Sequence, residues 1–163
     1  MDDRAGEKTL EVTLPSNPRT IASIDGHPIH PMLVPFPIAF FIATFACDIG
    51  YATRGGTGWV IASEWLLGAG LIFAGLAALA GLTDFFGCRR IRRLDAVWWH
   101  MGGNLLAVLI SAWNFYVRYE TGAARGLNSA LTLLSAIVVV IICFTAWKGW
   151  DMVYRHRVGV SNY

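Results

Sequence analysis

Four long apolar runs, separated by short glycine-rich or charged breaks, follow a polar N-terminal stretch. Pro31 to Tyr51, Trp59 to Phe86, Val97 to Tyr119 and Ser129 to about Tyr154 each supply the ~20 residues that cross a ~30 Å hydrocarbon core as helix. Gly55-Gly56-Thr57-Gly58 and Gly122-Ala123-Ala124-Arg125-Gly126 end the first and third runs, because glycine weakens a helix and favours a turn. The pattern predicts an all-α fold: an integral membrane four-helix bundle over 27–160, with a polar arm over 1–26. The arm holds Pro15 and Pro18 and lacks the charged start, apolar core and cleavage site of a secretory signal. It reads as a cytoplasmic arm, flexible or laid over the surface. No convincing internal repeat is visible.

Composition agrees with a bilayer as solvent. Of 163 residues, 55% are hydrophobic and 15% charged, against about 25% charged in a typical soluble domain. Thirteen basic against eleven acidic residues give a net charge of +2, which excludes a nucleic-acid binder working by bulk charge. Cys47, Cys88 and Cys143 are scattered and form neither a metal pair nor a disulfide framework.

Basic residues also orient the bundle. With four spans, both termini and the second connection share one side, which holds Arg4, Lys8, Arg19, Arg89, Arg90, Arg92, Arg93, Lys148, Arg155 and Arg157. Only Arg54, Arg118 and Arg125 belong to the other. The positive-inside rule then places both termini in the cytoplasm, at a bacterial inner membrane. Gly70, Ala74 and Ala78 form a small-residue ridge, with Ala77 and Gly81 on the neighbouring row, suited to close helix packing in lipid.

Polar residues within the apolar runs carry the candidate chemistry. His27 and His30 precede span one, His100 opens span three and His156 follows span four, so all four histidines approach the cytoplasmic face. His27 and His30 each precede a proline, which biases them to polyproline backbone with imidazoles on one side, ~9 Å apart. Pro35 and Pro37 delay regular helix to about Pro37, leaving His30 to Phe36 extended, a form tolerated at membrane depth only against protein or a polar cavity. Span three aligns His100, Asn104, Ser111, Asn114 and Arg118 on one stripe, the face that looks into a bundle. Asp48 and Glu64 lie towards the other end with Arg54 and Arg118 as partners for an ion-pair cluster. Asp84 has two roles open to it: orienting an imidazole, or pairing with Arg89 or Arg90.

The run HPIHPMLVPFPIAF (His27 to Phe40), Gly81-Leu82-Thr83-Asp84, His100 and the closing VYRHRVGV (Val153 to Val160) together resemble the bacterial domain-of-unknown-function 2231 family of predicted four-span membrane proteins. The resemblance covers about residues 24–160. It departs at Ala146 to Asp151, where the family has a Gly-rich turn, and at Arg157, which replaces a common glycine. Relatives fused or adjacent to quinoprotein-type sugar dehydrogenases imply an electron-transfer or quinone-linked role.

Two function classes follow. In the first, a b-type haem sits between histidines near the cytoplasmic side of the bundle, as cofactors commonly do. His100 is the first ligand, with His30 or His156 as its partner and His27 as a neighbour. Asp84 and Asn104 orient the imidazoles, and Gly102 and Gly103 give a flat macrocycle room. A non-haem metal bound by three histidines and Asp84 is a variant. The partners are then a redox protein or quinone. In the second class the chain is a non-enzymatic structural or anchoring membrane subunit, with histidines as hydrogen-bonded caps. Either class allows a homo-oligomer or a place in a larger complex. Transport or proton sensing through the histidines is a third possibility. No nucleophile elbow, phosphate loop, zincin pair or dinucleotide fingerprint appears, so independent catalysis is not expected.

Overall fold

The structure, a computed structural model, describes residues 17–125 and 127–160. Most of the polar arm therefore lies outside the described residues. Its last part leads into a small hairpin, β1 (Ser23–Ile24) against β2 (His27–Pro28), with Ile24 opposite His27. The turn residues Asp25 and Gly26 both have positive φ, 48° and 77°. That is the two-residue turn whose twist matches a hairpin, and Asp-Gly is its favoured sequence.

Helix begins at once after the hairpin. α1 (Ile29–Leu33) runs into α2 (Pro35–Arg54) through Val34, itself helical at φ −56° and ψ −35°. The expected extended stretch from His30 to Phe36 is therefore corrected: His30 is helical and the chain is close to one helix from Ile29 to Arg54. Pro31 lies in the first turn of α1, where a missing N–H costs no intrahelical bond, while Pro35 and Pro37 interrupt the ladder at the junction, which Val34 N to His30 O and Ile38 N to Val34 O carry across. Gly55 and Gly56, at φ 67° and 97°, then reverse the chain in two residues.

α3 (Thr57–Gly87) returns, the short α4 (Arg89–Arg92) crosses the end, and α5 (Asp95–Thr121) ascends again. A turn of 3-10 helix, Ala123–Arg125, leads to α6 (Ser129–Tyr154), whose first turn is capped by Asn128 Oδ1 accepting from Leu131 N at 3.0 Å. α2 packs on α3 and α6, and α5 packs on α6 and α3, so α2 and α5 stand diagonally across the bundle, as do α3 and α6. We call the end holding α1, α4 and the C-terminus of α6 the terminal end, and the other the far end.

The bundle buries polar side chains beside its apolar core and turns large apolar ones outward. Asp48, Ser63, Ser111 and Asn114 are fully buried, while Ile72, Leu79, Leu105, Leu109, Trp113 and Val140 each expose more than half their surface. Water would not sustain that arrangement; hydrocarbon does. Among the described residues three helices are long and apolar enough to cross a membrane: Ile29–Arg54, α3 and α6. α5 is as long, but its polar stripe lowers its hydropathy. The inner apolar layer is Phe41, Leu67, Ala107, Val138 and Ile142, one or two side chains from each of the four helices. Gly70 lets Phe41 lie against α3, and Ala74 packs beside it, whereas Ala78 of the expected ridge faces outward; Ala77 and Gly81 continue the inner row.

Candidate functional site

Two polar clusters occupy the middle of the bundle, one at each end, and both are made by the diagonal helices. At the terminal end His30 of α1 meets His100 of α5, with ring centroids 6.0 Å apart and planes at 83°. His30 Nδ1 lies 2.7 Å from the carbonyl of Ala77 on α3, and His100 Nδ1 lies 2.8 Å from the carbonyl of Thr145 on α6. A carbonyl only accepts, so each Nδ1 carries the proton. In the neutral imidazole Nε2 is then the lone pair, which is the state a metal-ligating histidine needs. Each ring also lies against a glycine one turn beyond its carbonyl partner. A Cβ on Gly81 would stand 3.0 Å from His30 Nδ1, and one on Gly149 would stand 3.2 Å from His100 Cε1.

Asn104 bonds the backbone beside the second of these rings, not the ring itself. Its Nδ2 donates to His100 O at 2.8 Å, and its Oδ1 accepts from the Thr145 hydroxyl at 3.1 Å. Thr145 thus ties α6 to the helix carrying His100 twice. Nothing in its sequence surroundings, a threonine in an apolar run, marks it for that role. Gly103 brings α5 against Thr145 and so packs helices, while Gly102 has open space on its Cβ side. The macrocycle clearance expected from both glycines is therefore corrected for Gly103.

The other predicted residues stand apart. His27, in β2, is exposed with Nδ1 3.0 Å from Asp25 O, and is not aligned with His30 because the two lie in different elements. His156 is exposed past the end of α6, which corrects its expected place as a partner for His100. Asp84 is buried, and its partners among the described residues are backbone groups: Oδ1 accepts from the N–H groups of Ile21 and Ala22 at 2.6 and 2.8 Å, in place of the expected imidazole or arginine. It fastens the chain ahead of the hairpin to the terminal end. Two more bonds join that segment to the C-terminal tail, Gly159 N to Pro18 O at 2.9 Å and Asn17 Nδ2 to Val160 O at 2.8 Å. Among the described residues no group of three or more His, Cys, Asp or Glu side chains converges to hold a metal, so the three-histidine variant with Asp84 is not formed.

At the far end Arg118 on α5 meets Asp48 on α2 through two bonds, Nη1 to Oδ1 at 2.9 Å and Nη2 to Oδ2 at 2.7 Å. The Ser63 hydroxyl donates to Asp48 and accepts from Arg118, and Ser135 Oγ accepts from Arg118 at 3.0 Å. Asn114 Oδ1 takes the remaining Nε–H at 2.8 Å. Among the described residues the expected cluster of Asp48, Glu64, Arg54 and Arg118 reduces to this pair, and Arg54 is exposed.

An all-helical bundle with an apolar exterior, a buried ion pair and a facing histidine pair defines a small integral membrane protein. Residues 26–162 match the model of the DUF2231 family, described as predicted membrane proteins, and the chain belongs to that family. No curated protein and no solved structure matches it.

Proposed function

We propose that this chain is an inner-membrane electron carrier, or the electron-carrying subunit of a redox complex, that holds a b-type haem between His30 and His100. The observation that carries this reading is the facing pair, each Nδ1–H held by a backbone carbonyl. The ring centroids lie 6.0 Å apart, within reach of one shared metal whose bonds to imidazole nitrogen run about 2.0–2.1 Å. Two protein donors do not complete a tetrahedral zinc site, whereas His30 and His100 together would suffice to hold a haem. When bound, the haem supplies a one-electron couple. The chain's own residues fix the two imidazoles, exclude water with an apolar exterior, and place the centre near the terminal end.

In this reading α5 is a fourth span and the terminal end faces the cytoplasm. Arg118 is consumed by Asp48, so Arg54 and Arg125 alone remain as basic residues of the far end, against the arginines of α4 and its flanks. The partners are then the lipid bilayer and a redox protein or quinone meeting the cytoplasmic face.

The test is an absorption spectrum of the detergent-purified protein, oxidised and dithionite-reduced, with iron quantified. A Soret band with a sharp reduced α-band is expected, lost in His30→Ala and in His100→Ala. A colourless, iron-free preparation from haem-replete cells overturns it. One observation favours a second reading, a structural or anchoring subunit without cofactor: the same two imidazole–carbonyl bonds also tie α1 to α3 and α5 to α6.

A further inference from the structure

The two histidines occupy matching positions in two halves of the chain. Counting from His30, the buried residues of the first long helix as far as Asp48 are Pro37, Phe41, Thr44 and Asp48; Gly50, further on, has the exposed Glu120 as its counterpart. The same steps from His100 reach Ala107, Ser111, Asn114 and Arg118, all buried. The returning helices repeat the relation. The imidazole of His30 bonds Ala77 O and lies on Gly81, one turn further; the imidazole of His100 bonds Thr145 O and lies on Gly149, one turn further. With Ala77 set against Thr145, the buried Ser63, Leu67 and Gly70 fall on the buried Leu131, Ser135 and Val138. The packing matches as well: α2 rests on α3 and α6, and α5 on α6 and α3.

We infer that the protein is two copies of one histidine-bearing helical hairpin, 29–87 and 95–154, related by a two-fold axis along the bundle, with its two polar clusters on that axis. Residue identity conceals the relation. Few identities survive beyond the histidines: Phe45 with Phe115 on the first helix of each half, and Ala62 with Ala130, Leu66 with Leu134, Ala78 with Ala146 and Gly81 with Gly149 on the second; elsewhere only depth is kept. The axis explains why the diagonal helices supply both clusters: only matching positions of α1–α2 and α5 meet on it. It also explains the far-end chemistry. A residue on the axis faces its own counterpart, and two aspartates or two arginines there would be like charges apposed without water. One of each sign turns that clash into an ion pair, and it favours pairing of unlike halves within a chain over like halves between chains.

The site inherits the symmetry. A ligand on the axis meets the same donor, neutral imidazole Nε2, from both sides, so its class is a metal centre taken alike on two faces; this consequence alone rests on the haem reading. A haem held there would take both of its protein ligands from His30 and His100, so no exogenous ligand such as carbon monoxide is expected to bind.

The test exchanges the charges in the full-length protein: Asp48→Arg, Arg118→Asp, and both together, each purified in detergent. Each single change places like charges face to face, and a fall of about tenfold or more in monodisperse yield is expected, with recovery to within about threefold of wild type in the double exchange. Because Asn114 accepts from Arg118 Nε, and Thr44 is its counterpart, a fourfold variant adds Thr44→Asn and Asn114→Thr to carry the acceptor across with the arginine. It is expected to recover at least as well. If neither the double nor the fourfold variant rises above the singles, the halves are not equivalent and the inference fails. Yield reads this whether or not the preparation is coloured. A coloured wild type whose reduced spectrum shifts fully with carbon monoxide would overturn the two-face site while leaving the haem itself in place.

Discussion

Arg118 Nη2 stands 2.7 Å from Asp48 Oδ2 across the bundle, and both side chains are shut off from the surface. A buried pair is weak evidence for net stability, but breaking one is costly because the abandoned charge keeps its desolvation. Asp48→Asn or Arg118→Gln alone should lower stability by about 3–5 kcal/mol. The two together should cost less than the sum of the singles, by a coupling of about 0.5–3 kcal/mol. Thermal or denaturant unfolding in a fixed detergent reads both; strict additivity would show that the pair is not coupled.

His27→Ala and His156→Ala should leave the spectrum and iron content unchanged, since both rings are exposed and outside the facing pair. Loss of signal in either, at normal yield, would move the ligand assignment away from His30 and His100.

The glycines under the imidazoles give a steric test. A side chain at Gly81 or Gly149 enters the space of a ring, so Gly81→Val or Gly149→Val should displace the imidazole and lower iron occupancy at least tenfold. Overpacking costs typically 1–3 kcal/mol. Gly75, also on α3, has nothing within 4 Å of its Cβ direction. Gly75→Ala should leave occupancy intact and raise stability by about 0.4–1 kcal/mol.

Asp84→Leu should loosen the segment ahead of the hairpin while sparing the histidine pair. It strands the N–H groups of Ile21 and Ala22, at about 1–3 kcal/mol for a buried unsatisfied donor. Hydrogen exchange of residues 17–28 should accelerate, with the absorption spectrum unmoved. Unchanged protection there would show that Asp84 is not the fastening.

The helices were legible because long apolar runs and glycine breaks are local signals, and α6 falls on Ser129–Tyr154 as the pattern gives it. The start of the first helix was not. His30 and Val34 each precede a proline, and the local bias against helix there is overridden by contacts made far along the chain, such as His30 on Ala77. The inward stripe of α5 was readable from its spacing, and with it the burial of Asn114 and Arg118. Thr145 was not readable, because what binds His100 is its carbonyl, which every residue has. Asp84 was visible as a buried carboxylate, but its partners are backbone N–H groups that no side-chain pattern announces. The hairpin at Asp25-Gly26 did carry a signal, the Asp-Gly pair, masked by the proline-rich surroundings. The matching halves were hidden because burial depth repeats while residue identity mostly does not.

The low hydropathy of α5 bears on how the protein is made. Its apolar side, with Leu105, Leu109 and Trp113, is ready for lipid. Its other side carries an imidazole, two amides, a hydroxyl and a guanidinium, and ionised side chains enter a bilayer at a penalty unless neighbours receive them. The receivers are α2 and α3, already synthesised, and α6, still to come, which brings Ser135 and the Thr145 carbonyl. If α5 is a span, as proposed above, its insertion is conditional on a waiting first hairpin and is completed by α6. A ribosome that stopped after Thr121 would leave a segment inclined to slip back out of the membrane.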